Sequence, residues 1–110
     1  METIIKMNRK KILKDIKDTV WKVSPGATII LYGSEARGDS KSGSDVDILI
    51  LVNKEILSYQ DIASIIDPIY DIELKTGVLI SPLVYTQKQW EDRPIKTPFY
   101  INVINEGIRL

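Results

Sequence analysis

From residue 4 to residue 23, Ile5, Ile12, Ile16 and Val20 recur at the spacing of one helix face, with Leu13 and Trp21 alongside. Ser24, Pro25 and Gly26 stop the pattern. Residues 27–32 (ATIILY) form a short, nearly continuous apolar run rich in β-branched and aromatic side chains. That run predicts a buried strand ending at Gly33. A short helix is expected from Ser34 to Arg37, and GDSKSGS over residues 38–44 is polar turn material. Residues 45–52 predict a second strand. Every position in it after Asp47 is apolar, so it should be covered on both faces over that stretch.

Ser58-Tyr59-Gln60-Asp61 resembles a capping box and opens a further helix, whose core stripe is Ile62, Ile65, Ile66, Ile69 and Ile72. Pro68 falls inside that pattern and is expected to kink or split the helix. Lys75-Thr76-Gly77 closes it, with Gly in the C′ place. Residues 78–85 predict a third strand. Pro82 cannot donate a ladder bond, which puts this strand at an edge or beside a bulge. Thr86 with Gln89 makes another capping box, and Thr97-Pro98 supplies an N-cap followed by Pro at the first helical position. Gly107 ends that last helix. The order α-β-α-β-α-β-α-α predicts an α/β chain of the α+β type: one domain over residues 1–110, with a small mixed sheet of three to four strands flanked by helices.

Composition narrows the chemistry. The 110 residues contain no cysteine and no histidine. Disulfides, thiolate or imidazole metal sites, cysteine catalysis and a Ser–His–Asp triad are all excluded. Acid–base or metal chemistry must run on Asp, Glu, Lys, Arg, Tyr, Ser and Thr, which suit hard cations such as Mg²⁺. Fifteen basic residues balance fifteen acidic ones, which argues against a protein built to coat nucleic acid. The charge is uneven, however. Residues 1–22 carry Lys6, Arg9, Lys10, Lys11, Lys14, Lys17 and Lys22 against Glu2, Asp15 and Asp18. This predicts either a solvated helix face or a docking surface for an acidic partner or polynucleotide. No apolar run is long enough to span a membrane, and METIIKMNRKK lacks the features of a secretory signal, so a cytoplasmic location is expected.

Three features carry candidate chemistry. Gly33-Ser34 stands where a strand gives way to a helix, a place whose backbone N–H groups suit phosphate; Gly permits close approach and Ser adds a hydroxyl. Asp45-Val46-Asp47 opens a strand, and residues i and i+2 share a face. Two carboxylates side by side repel unless a cation neutralises them. Ten residues separate Ser34 from Asp45, enough for the chain to loop back and set a nucleotide's phosphates between backbone donors and a metal site.

The block Gly33-Ser34-Glu35-Ala36-Arg37-Gly38, ten residues after Ser34, then Asp45-Val46-Asp47-Ile48-Leu49 resembles the signature of the nucleotidyltransferase superfamily that includes DNA polymerase beta. Its flanking residues are similar to the minimal nucleotidyltransferase subgroup. The resemblance implies a nucleotidyltransferase-like fold and Mg²⁺-dependent transfer of a nucleoside monophosphate, AMP from ATP, to an acceptor hydroxyl. It implies that Gly33 and Ser34 hold the β- and γ-phosphates and that Asp45 and Asp47 ligate Mg²⁺. Arg37 would contact phosphate or brace the loop, the alternative for it being a surface salt bridge, and Ser44 would contact phosphate or cap the turn. The family's third acidic residue lies on the following strand, which here holds no carboxylate; Ser81 stands at the expected place. Asp71 and Glu73, the nearest acids upstream, are expected on the preceding helix. The alternative is a nucleotide-binding interaction module with little or no turnover. The family includes antibiotic-modifying, tRNA-processing and protein-adenylylating members. The chain ends soon after the core, so the acceptor is expected to be small or to be held by another chain, for which the resemblance implies a helical HEPN-type protein.

Overall fold

The computed structural model describes residues 2–39 and 45–110, with side chains from residue 9 onward. Helix α1 (Glu2–Val23) precedes β1 (Thr28–Tyr32), α2 (Gly33–Arg37) and β2 (Val46–Val52). Then come α3 (Tyr59–Thr76), β3 (Ile80–Thr86), α4 (Gln87–Glu91), α5 (Pro98–Glu106) and β4 (Ile108–Arg109). The strands form one mixed sheet in the order β3-β2-β1-β4. β2 runs antiparallel to β1 and parallel to β3, and β4 returns antiparallel to β1.

β2 is the centre of the molecule because its side chains alternate between two apolar layers. Ile48, Ile50 and Val52 join Ile12, Ile16 and Val20 of α1 and Ile65 and Ile69 of α3. Leu49 and Leu51 join Trp90 of α4 and Val103 of α5. Five consecutive buried residues follow from covering both faces of the strand, as the apolar run predicts. Each such burial contributes about 1.5–3 kcal/mol, so β2 is the least substitutable segment.

The caps read from the sequence form. Ser58 and Asp61 satisfy each other's backbone N–H groups, as do Thr86 and Gln89, while Thr97 accepts from the Tyr100 N–H. α3 does not split at Pro68 but runs through it as one helix. Proline removes one helical bond, at a cost of about 3 kcal/mol. Buried Ile65 and Ile69, three residues before and one after, hold both halves of the helix on the sheet and offset that cost. Strand β4 is absent from the expected element order. Its two residues are too few to show an alternation. Gly107 admits it, since a Cβ there would run into the Val103 carbonyl and the Ile30 side chain.

The β3 edge of the sheet presents few backbone donors to another strand. Val46 N–H donates to the Leu79 carbonyl at 2.9 Å, in register with Ile80. In a parallel ladder, alternate residues bond to one neighbour. Residues 79, 81, 83 and 85 therefore face β2, and residues 80, 82, 84 and 86 face the open edge. The Ile80 N–H donates to Glu73 Oε1 at 2.9 Å, Pro82 has none, and the Thr86 N–H donates to Gln89 Oε1 at 2.9 Å. Pro82 thus sits where no ladder bond is lost, and the edge offers little to a strand from another chain. The opposite edge is the two-residue β4.

The basic N-terminal segment separates into two parts. Lys10, Lys11, Lys14 and Lys22 are exposed, and the Lys17 ammonium lies 4.9 Å from the centre of the Trp21 ring. Arg9 is buried instead. Among the described residues no helix is long and apolar enough to cross a membrane.

Candidate active site

The site is built where β1 ends and β2 begins. Antiparallel pairing sets Tyr32 opposite Asp47, so the residue after Tyr32 arrives beside that carboxylate. That residue is Gly33, with φ +74°, a conformation only glycine adopts without strain. A Cβ on Gly33 would lie 2.5 Å from Asp47 Oδ2. Glycine is therefore required twice, by backbone and by neighbour. The chain continues as α2, whose five residues include none that is buried, and Gly38 ends it in the left-handed conformation. Ser34 lies in its first turn.

Asp45, Asp47 and Ser81 converge. Asp47 is the second residue of β2 and Asp45 stands just before the strand, and parallel pairing places Ser81 level with Asp47. The Ser81 hydroxyl donates to Asp45 Oδ2 at 3.4 Å. Burial, and next the Asp45 charge, push the Asp47 carboxyl above its ordinary value, while Arg37 pulls the other way. Burial also raises the Tyr32 phenol, and the Asp47 charge adds to that. The face of β2 that carries Asp47 continues beyond it into an aromatic cluster. Tyr32 meets Phe99 edge-on at 5.3 Å, and Phe99 meets Trp90 at 6.1 Å.

Arg37 is occupied at the surface. Its Nε donates to Asp39 Oδ2 at 3.2 Å and its Nη1 to Glu106 Oε2 at 3.5 Å, ties that raise its pKa. Ser44 lies outside the described residues. Asp71 and Glu73 are on α3, as expected, and the Glu73 carboxylate is engaged at the Ile80 N–H. Among the described residues, no three His, Cys, Asp or Glu side chains gather as metal ligands. What the fold assembles is two carboxylates and a hydroxyl, oxygen donors of the kind that hard divalent cations take. A cation there would relieve the repulsion that raises Asp47.

Two parts of the site come from contacts between distant segments of the chain. Glu106 reaches Arg37 from 69 residues away, and no local pattern signals that pair. Arg9 of α1 forms a buried ion pair with Glu35 of α2. A signal for Arg9 did exist: it precedes Ile12 by three residues and Ile16 by seven, so it belongs to the core stripe of α1.

Comparison with known proteins bears on the whole chain. Residues 9–108 match the family described as nucleotidyltransferase domain. Over 107 residues, 97% of this chain and 95% of the relative, the sequence is 39% identical to "Putative protein adenylyltransferase MJ0141" of Methanocaldococcus jannaschii. Over 103 residues, 92% of this chain and 96% of the relative, it is 34% identical to "Putative protein adenylyltransferase MJ0604" of the same organism. With the mixed sheet and its flanking helices in the family's arrangement, this chain belongs to the nucleotidyltransferase domain family and is a nucleotidyltransferase.

Proposed function

We propose that this chain transfers AMP from ATP to a hydroxyl on a protein, with Asp45 and Asp47 holding Mg²⁺ and Gly33 and Ser34 holding the β- and γ-phosphates. The observation that carries the proposal is the contact of Gly33 with the Asp47 carboxylate. It brings the phosphate turn and the carboxylate pair together, and nucleotidyl transfer depends on that proximity. Bound Mg²⁺ would draw charge from the triphosphate oxygens and make pyrophosphate a better leaving group. Arg37 adds positive charge beside the same turn once a phosphate competes with Asp39 and Glu106 for it. The acceptor oxygen bonds to the α-phosphorus as the bond to the bridging oxygen of pyrophosphate breaks. With Ser81 in place of an acid, no β3 carboxylate takes the acceptor proton; it goes to water, and turnover is slow.

A protein acceptor is consistent with the names of both relatives. A helical partner of HEPN type, with this chain as its antitoxin, is the form that the minimal-subgroup resemblance suggests. The exposed lysines of α1 favour an acidic surface on that partner. The β3 edge presents few backbone donors, which favours docking of the partner through side chains.

A second reading keeps nucleotide binding and drops most of the turnover. The Ser81 hydroxyl at the third acidic position favours it. One experiment tests both. The protein is titrated with MgATP by calorimetry and then incubated with labelled ATP and co-purified partner. Binding with label transfer supports adenylylation, and binding without transfer supports the second reading. Absence of MgATP binding refutes both.

A further inference from the structure

We propose that Arg9 and Glu35 are a positioning pair that sets the Gly33–Ser34 turn for a triphosphate. The proposal rests on the reading of that turn as the phosphate site. Helix α2 has no buried residue and little apolar anchorage; among the described side chains, Ala36 is its contribution to the core. Its neighbours hold it by polar ties instead. Arg37 is bound to Glu106 at the exposed surface, where ion pairs contribute little. Arg9 and Glu35 differ in kind. Their side chains are only 8% and 12% exposed, and the guanidinium meets Glu35 Oε1 at 2.5 Å.

Arg9 projects from the core-facing stripe of α1, three residues before buried Ile12. Its helix is clamped to the sheet by Ile12, Ile16 and Val20. A cation on so rigid a support is a fixed point. Glu35 directly follows Ser34, so fixing its carboxylate fixes where the preceding turn lies. The turn is thereby held on two sides, by Gly33 against Asp47 and by Glu35 against Arg9. Buried pairs are poor sources of net stability but good sources of registry. The placement of this one assigns the registry to the turn that receives phosphate.

The test uses the double variant R9M/E35M, because removing one partner alone takes an opposing charge away from a buried group and can unfold the protein. Two well-packed apolar side chains keep the fold. Nuclear magnetic resonance relaxation of the Gly33, Ser34 and Glu35 amides is measured without nucleotide. These amides are expected to become mobile while the β2 and β3 amides keep their shifts and order. Titration is expected to raise the Kd for MgATP by about tenfold and leave the Kd for AMP, which lacks the β- and γ-phosphates, unchanged. The conservative R9K variant is expected to restore turn order and most of the MgATP affinity.

A turn as ordered as in the wild type would overturn the proposal. So would equal losses for MgATP and AMP accompanied by shifts throughout the sheet, since that pattern marks a purely structural pair. If the wild type binds no MgATP, the proposed function fails; the relaxation measurement still decides whether Arg9 and Glu35 order the turn.

Discussion

Gly33 stands so close to Asp47 that a single added carbon would lie 2.5 Å from the carboxylate oxygen. Gly33→Ala is therefore expected to act twice. The left-handed φ of +74° costs a non-glycine residue about 1–2 kcal/mol, and the methyl group displaces Asp47. Denaturant unfolding reads the first effect and calorimetry with MgATP the second. The expected result is a loss of stability together with loss of nucleotide binding. A variant that binds MgATP as the wild type does would show that the contact is not needed.

Asp45→Asn and Asp47→Asn are each expected to abolish metal-dependent nucleotide binding while the fold is retained. Asp47 adds a pH signature. Its carboxyl is raised above 3.8 in the folded protein, by burial first and by Asp45 second. A raised folded pKa contributes stability below the unfolded value and loses it as pH rises through the folded value. At neutral pH the charge is thus a cost. The apo form of Asp47→Asn is expected to melt above the wild type at pH 7, with the advantage shrinking as pH falls toward 3.8. MgATP should raise the wild-type Tm and leave that of the variant unchanged. A pH-independent difference in Tm would count against the electrostatic account.

Ser81→Asp should increase transferase activity. The hydroxyl already lies 3.4 Å from Asp45 Oδ2, and Ser81 is level with Asp47. A carboxylate there can take the acceptor proton, and it also adds a third negative charge. Activity with labelled ATP is expected to rise while the apo Tm falls and its gain from Mg²⁺ grows. Unchanged turnover would mean that Ser81 does not occupy the third acidic position.

Ser34→Ala tests the hydroxyl of the turn. One hydrogen bond to a charged phosphate is worth about 1.5–3 kcal/mol, so the Kd for MgATP is expected to rise by roughly one to two orders of magnitude. If calorimetry finds no change, the backbone alone holds the phosphates.

Glu73→Ala should uncover the Ile80 N–H at the β3 edge, which Glu73 Oε1 accepts at 2.9 Å. Losing a partner for a partly buried donor costs about 1–3 kcal/mol, and the edge becomes more open to pairing. Unfolding midpoints and concentration-dependent gel filtration check the two effects separately. A monomer of wild-type stability would show that Pro82 and Gln89 suffice to close the edge.

Local order in the sequence determined much of this protein. Apolar periodicity, caps and glycines act within a few residues, so helices α1 to α5 and strands β1, β2 and β3 could be read from it. The placing of Asp45 and Asp47 together at the start of β2 follows from their two-residue spacing alone. The Gly-Ser and Asp-x-Asp elements and their separation were legible for the same reason. Tertiary structure decided what depends on chain segments meeting. That α3 continues through Pro68 instead of splitting there depends on the burial of Ile65 and Ile69. The two residues of β4 have no pattern until β1 supplies their partners. The spacing of Arg9 puts it on the core stripe of α1, but its Glu35 partner is set only by the packing of α1 against α2, and the Gly33–Asp47 contact exists only because antiparallel pairing carries Tyr32 opposite Asp47. Spacing along a chain fixes direction on one element, whereas distance between elements is set by how their buried faces pack.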